Sequence, residues 1–293
     1  MDIIPEIKRP RENKSIEQEI DTFKELIERS FDRASITEIN SALDLMIELH
    51  SDQENRPDGK PYISHPLEIA KDIVEKYGIN DKDLVIAALL HDSVEDQSSK
   101  LSAKKLARGH EETSREVEIK NSNAPELSHQ AALAKNALQE IGFLYGDKVR
   151  EIVEHLSNPD FDSLINELKS KGIEKTKNQL YKEHVEEAIK NPGVCVIKYA
   201  DFARNALSIN NLPEGTKKDN LRKKYGPVIQ EVFLPAFRSM SENHPLFNIR
   251  EALILELEKA YNEQYLAENP VETSEKTAQT ILLDFLVDNN FLT

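Results

Sequence analysis

Apolar residues recur along this chain at the three-and-four spacing of helices, and no stretch shows the strict alternation of a half-buried strand. Ile16, Ile20, Phe23, Leu26 and Ile27 form one stripe from Ser15 to about Arg29, after a charged arm over 1–14. Ile36, Ile39, Leu43, Met46, Ile47 and His50 form a second over roughly 35–53. Pro57, Gly59 and Pro61 then interrupt any helix. Pro66 suits the first position of a helix reaching about Tyr77, with Gly78 as its stop. Asp81 can cap the helix that follows. Further helices are expected over 125–144, 146–156, 176–190, from Val194 through Leu207, and over 216–241, 248–268 and 272–288. Residues 98–123 read as an exposed polar excursion, and 157–175 have no clear period. The class is all-α. The expected organisation is an N-terminal arm and helix (1–34), a helical body (35–245) and a C-terminal helical extension (246–293).

Composition narrows the function. With 53 acids against 38 bases the net charge is −15, which argues against binding long nucleic acid or an anionic membrane. A local basic pocket for a small anion stays compatible with it. Nine glycines in 293 residues do not suit a Gly-rich phosphate-loop fold. The longest apolar run, Leu84 to Leu90, is far too short to span a bilayer. Cys195 is the single cysteine, so no internal disulfide can form, and a reducing cytoplasm is the expected compartment.

The chemistry concentrates where that apolar run ends. Leu84-Val-Ile-Ala-Ala-Leu-Leu is apolar on every side and leads into His91-Asp-Ser-Val-Glu-Asp. On a continuing helix His91 would stack over Glu95, and Asp92 over Asp96. Three carboxylates crowded beside a buried segment repel one another, and a cation is their natural partner. The alternative is a solvated acidic helix end. His65 precedes a helix start and can face inward; a core or capping histidine is its other reading. Asp201 follows the apolar run at Val194–Ile197, with Asn205 and Ser208 on the same face; its other reading is an Asp paired with Lys198. Two imidazoles and two carboxylates suit a borderline divalent metal. Glu95 and Asp96 then remain to orient water and move protons, as a hydrolase requires. His50 and His155 read as core histidines, His110 and His129 as exposed ones, and Cys195 as a small core residue.

His65, His91-Asp92 and Asp201 resemble the H…HD…D signature of the HD superfamily of metal-dependent phosphohydrolases. Three longer stretches resemble the hydrolase domain of RelA/SpoT-type alarmone enzymes: Arg56-Pro-Asp-Gly-Lys-Pro-Tyr-Ile-Ser-His-Pro, Ala87-Ala-Leu-Leu-His-Asp-Ser-Val-Glu-Asp, and Ile197-Lys-Tyr-Ala-Asp-Phe-Ala-Arg-Asn. The resemblance covers about residues 35–240 and implies an HD-domain helical bundle with added terminal helices. It implies removal of the 3′-pyrophosphate of (p)ppGpp with Mn²⁺, in a cytoplasmic enzyme acting on a small nucleotide. His65, His91, Asp92 and Asp201 would bind the metal, and Glu95 and Asp96 would position and activate water. Arg56 would stack on the guanine base, while Asn205, Ser208 and Tyr225 would contact ribose or phosphate. Arg222, Lys223 and Lys224 read as a solvated basic turn, and Lys177 and Lys182 as remote candidates for phosphate contact.

Three departures bear on the substrate. Pro57 stands where relatives carry a basic residue, Phe202 and Arg204 replace an Arg and a His, and the span from Asp96 to Asp201 is long. The alternatives are another phosphorylated nucleotide as substrate, or a non-catalytic nucleotide-binding module. The 48 residues after Pro245 are too few for the synthetase domain of the long relatives, so hydrolysis alone is expected. The C-terminal helices are expected to pack or to form a homodimer surface.

Overall fold

The computed structural model describes residues 15–56, 59–108 and 129–266. Among them every regular element is helical, as the spacing predicts. The chain divides into two compact units: the described residues up to Arg204 with Ser241–Ile249, and Asn205–Met240 with the described residues from Arg250 onward.

The first unit is built on α1 (Ile16–Ser30), α2 (Arg33–His50), α3 (Ser64–Glu75), α4 (Lys82–Leu90), the one-turn α5 (Ser93–Asp96) and α6 (Ser98–Ala107). It continues through α7 (His129–Tyr145), α8 (Asp147–Leu156), α9 (Phe161–Ser170), α10 (Lys177–Ala188) and α11 (Pro192–Ala206), whose last residues enter the second unit. Side-chain caps start these helices where the polar residues fall. Ser15 and Gln18 form a reciprocal capping box on α1, as Thr176 and Gln179 do on α10. Asp81 Oδ1 accepts from the backbone N–H groups of Asp83 and Leu84, the cap expected for α4. Gly78, with φ of 68°, lies in the turn that follows α3.

The central helix is α4. All seven residues from Leu84 to Leu90 are buried, which an all-apolar helix requires. It packs against α2, α3 and α8. Leu84 also lies 3.1 Å from the place a Cβ on Gly193 would occupy, so α11 begins against it. Each fully buried Leu or Ile here contributes about 1.5–3 kcal/mol. This core therefore holds the C-terminal end of α4 firmly, and the chemistry of the chain sits at that end.

In the second unit, α12 (Thr216–Val228) runs through a π-helical turn (Ile229–Phe233) into α13 (Leu234–Arg238), and α14 (Arg250–Gln264) packs on α13. The expected single helix over 216–241 is thus interrupted. The π turn closes with Leu234 N–H donating to the Ile229 carbonyl, immediately before Pro235, which has no N–H to give. The expected helix at 272–288 and most of the excursion at 98–123 lie outside the described residues. Of the excursion, Ser98–Ala107 is a helix whose Leu101 is buried. The unassigned 157–175 contains α9, capped by Asp160.

Candidate metal centre

Three segments of the first unit meet at one point. The first turn of α3 carries His65, which sits two residues into the helix because α3 begins at Ser64 and not at Pro66. The end of α4 carries His91 and Asp92, and α11 carries Asp201. His65 Nε2 lies 3.2 Å from Asp201 Oδ1 and 3.7 Å from Asp92 Oδ2. His91 Nε2 lies 3.1 Å from Asp92 Oδ1, and the two imidazole rings are 5.3 Å apart, edge to face. His65, His91 and Asp201 each offer a ligand atom within 4.8 Å of the others, and Asp92 reaches both histidines.

The donor chemistry fits a divalent cation. His91 Nδ1 lies 2.8 Å from the Ala88 carbonyl, which assigns the proton of the neutral ring to Nδ1 and leaves the Nε2 lone pair toward the cluster. His91 Nε2 is buried and faces the Asp92 carboxylate at 3.1 Å. An imidazole nitrogen aimed at carboxylates in a buried cluster is the arrangement a metal completes. These residues can hold one.

The electrostatics agree. Burial, the largest single influence on His91, pushes its pKa down. The charge and hydrogen bonding of Asp92, the charge of Asp201 and the Ala88 carbonyl together outweigh it and bring the ring to about 9. Asp92 and Asp201 are lowered despite burial, Asp92 mainly by His91 and Asp201 mainly by His65. The cluster therefore draws a positive charge into itself. Since the folded value of His91 lies above its ordinary 6.5, it stabilises the metal-free protein fully below about pH 6.5, and that contribution is lost as pH rises through about 9. A metal must displace this proton, so metal affinity is expected to climb through the same interval, roughly tenfold per pH unit for one proton released. Titration calorimetry at pH 7 and pH 8 would measure it; a pH-independent affinity would remove His91 from the ligand set.

The expected ridge of stacked residues after Leu90 is broken. The helix stops at Leu90 and restarts at Ser93, so Glu95 and Asp96 belong to α5 and have their own partners. Asp96 accepts from Gln53 Nε2 at 2.9 Å. Glu95 accepts from Asn158, through its backbone N–H at 2.7 Å and Nδ2 at 3.0 Å. Desolvation raises the Glu95 carboxyl above the usual range, although its outer edge reaches solvent.

Several residues at the site were not singled out from the sequence. Tyr62 donates to Asp92 Oδ2 at 2.5 Å and stacks on His50, with centroids 5.0 Å apart. His50 is buried as expected, and its Nδ1 lies 2.6 Å from Gln53 Oε1. Glu68, one turn beyond His65, gathers Arg56 at 3.6 Å, Lys60 at 3.1 Å and Arg204 at 2.7 Å. Lys198 does not serve Asp201 in the way considered above; its buried Nζ donates to the Leu156 carbonyl at 3.0 Å. Tyr62 was legible only as part of the Arg56–Pro66 stretch that carries the resemblance, and Glu68 only by its place three residues beyond His65.

The other expected residues are placed as follows. Asn205 follows Asp201 by one turn of α11, and Ser208 lies in the turn after it; both belong to the second unit, with Tyr225. Tyr225 is buried on α12, with Lys224 Nζ 5.0 Å from its ring centroid. Arg222 is not solvated: it donates to the Gln264 carbonyl at 2.9 Å. Lys177 pairs with Asp162 at 3.0 Å. His155 is exposed rather than core, because it turns to the outer side of α8; His129 is exposed, and His110 lies outside the described residues. Cys195 is buried, its thiol pushed up to about 12 by desolvation.

Three helical segments thus bring two histidines and two aspartates together at one point. The family model described as HD domain matches residues 42–117. The human guanosine-3′,5′-bis(diphosphate) 3′-pyrophosphohydrolase MESH1 is 26% identical over 194 residues, covering 65% of this chain and 80% of that protein. The guanosine-3′,5′-bis(diphosphate) 3′-pyrophosphohydrolase of Aquifex aeolicus is 25% identical over 198 residues, which are 68% of this chain but 21% of that longer protein. A solved structure described as a metazoan ortholog of SpoT that hydrolyzes ppGpp is similar at 18% identity and a TM-score of 0.48, covering 78% of this chain and 96% of its own. Among the described residues no helix is long and apolar enough to cross a membrane.

Proposed function

We propose that this protein is a metal-dependent phosphohydrolase that removes the 3′-pyrophosphate of (p)ppGpp, with Mn²⁺ as its metal and the cytoplasm as its compartment. The observation that carries the reading is the cluster of buried His65 and His91 with half-buried Asp92 and Asp201, beside two carboxylates on α5 in the stretch matched by the HD-domain model. The MESH1 and Aquifex relatives support the substrate.

His65, His91, Asp92 and Asp201 would hold the cation. When bound, the metal supplies Lewis-acid activation of water and of a phosphoryl oxygen. Glu95 and Asp96 orient the attacking water and take its proton, and their separate hydrogen bonds keep them from spending both oxygens as ligands. Water adds to the phosphorus on the ribose 3′ oxygen, that P–O bond breaks, and the departing 3′ oxygen takes up a proton, so the products are pyrophosphate and GDP or GTP. Tyr62 fixes the Asp92 carboxylate. Arg56 lies in the turn before α3, tethered by Glu68, and is assigned to the guanine base. A homodimer through the C-terminal helices completes the proposal.

The test is a product assay of Mn²⁺-loaded protein on a nucleotide panel. Pyrophosphate and GDP from ppGpp, with GDP and GTP themselves untouched, are expected. One observation favours a second reading, another phosphorylated nucleotide as substrate. Phe202 is buried in the core, and Arg204 is turned onto Glu68 and Asp72, so neither supplies what relatives place there. Orthophosphate released from 2′- or 3′-monophosphates, with ppGpp intact, would establish that reading instead. Arg56→Ala is expected to raise KM for ppGpp by about 5- to 30-fold, the worth of 1–2 kcal/mol of cation–π contact, with metal content unchanged. An unaltered KM and kcat would remove Arg56 from the base site.

A further inference from the structure

Glu95 is gripped by a residue 63 positions away in the chain. Asn158 lies in the turn between α8 and α9, and both of its donors go to this one carboxylate. Its backbone N–H reaches Glu95 Oε1 at 2.7 Å, and its Nδ2 reaches Oε1 at 3.0 Å and Oε2 at 3.1 Å. Its Oδ1 is buried with no hydrogen-bond partner. An Asn in a turn ordinarily bonds its own backbone two residues on. Here the amide is spent on Glu95, and its oxygen is left unsatisfied. That orientation is also the only one the contact permits, because a flipped amide would set oxygen against carboxylate oxygen.

The turn itself is anchored. Leu156, the last residue of α8, is buried, and its carbonyl accepts from Lys198 Nζ at 3.0 Å. Lys198 is 4% exposed and lies three residues before Asp201 on α11. Thus the helix carrying Asp201 holds the turn, and the turn holds Glu95. Glu95 sits on a four-residue helix with an exposed edge, so little else restrains its rotamers. A carboxylate that takes a proton from water must be held in one place, because its contribution depends on aim.

We propose that Asn158 is a positioning residue of the hydrolytic site, fixing the Glu95 carboxylate through two converging donors while Lys198 fixes the turn that presents them. The proposal rests on the phosphohydrolase reading above. Asn158 acts through Glu95 and needs no contact with the nucleotide.

The experiment compares Asn158→Ala, Asn158→Asp and each change in a Glu95→Gln background. Asn158→Ala keeps the backbone donor and loses the amide, so kcat is expected to fall on the order of 10-fold. Asn158→Asp keeps the shape but turns the donor into a like charge, so kcat should fall further, on the order of 100-fold. KM and Mn²⁺ content should stay at the wild-type level in both. In the Glu95→Gln background neither change should cost more than about 2-fold, since the group they act through is gone. A merely space-filling Asn158 would reverse the order, with Asp milder than Ala, and that result would overturn the proposal. So would losses that multiply in the Glu95→Gln background. Melting temperatures of the same set are read without substrate. If the wild type hydrolyses no nucleotide while Asn158→Ala and Glu95→Gln remain non-additive in melting temperature, the phosphohydrolase reading and the catalytic role built on it both fail, and only the clamp stands. If the wild type is active and the kcat losses multiply, the function stands and the positioning role fails.

Discussion

Asp201→Ala protein purified with Mn²⁺ is expected to carry no stoichiometric metal and to lose its metal-dependent activity. Asp201 Oδ1 lies 3.2 Å from His65 Nε2, and its carboxylate is one of two that balance a divalent charge. Removing it leaves two imidazoles and Asp92, with half the compensating charge. The loss should also appear in stability. A ligand that binds only the folded state stabilises it by about 3 kcal/mol at a hundredfold excess over Kd. For a chain of this size that is a gain of roughly 5–10 °C in melting temperature on adding Mn²⁺. The wild type should show the gain and Asp201→Ala should not, with His91→Ala behaving likewise. Metal analysis beside a melt with and without Mn²⁺ decides the matter. Retention of one equivalent by Asp201→Ala would mean that the ion sits elsewhere and that the His65–His91–Asp201 group is a structural ion-pair cluster.

Glu95→Gln should leave metal and fold intact and still lower kcat by about 10²–10⁴-fold, the usual worth of a positioned acid–base group. Glu95 accepts from Asn158, and its second oxygen retains capacity for a further partner. Gln keeps the shape but cannot take a proton. Asp96→Asn is expected to fall in the same range, since Asp96 accepts from Gln53 Nε2 and keeps lone pairs free for water. The informative measurement is kcat beside bound metal for both variants and the double variant. Full activity in the double variant would assign water activation to the metal alone. Metal lost together with activity would make one of the pair a ligand.

What could be read in advance follows from the range of the forces involved. Helix positions depend on local spacing, caps and breakers, which are all sequence-local. The cap at Asp81 and the buried helix at Leu84–Leu90 are of that kind. The residue types of the candidate metal cluster were legible because His and Asp beside apolar runs must find compensation for their burial. The break between Leu90 and Ser93 was not, because a continuing helix and a restarted one have the same residue pattern there. Only packing decided that His91 would face the cluster with Nδ1 committed to Ala88.

From its sequence alone this protein was determined to be all-α, built around one apolar helix, and to carry a set of groups that one divalent cation would satisfy. Only the tertiary structure decided which groups meet. Tyr62 bonds Asp92 across 30 positions, Asn158 bonds Glu95 across 63, and Arg204 bonds Glu68 across 136. Helical periodicity predicts which residues share a face over four or seven positions and nothing beyond. A hydrogen bond between distant segments exists only because packed helices bring two chain directions together. Asn158 and Lys198 look like ordinary turn and helix residues until α5, α8 and α11 are assembled around them.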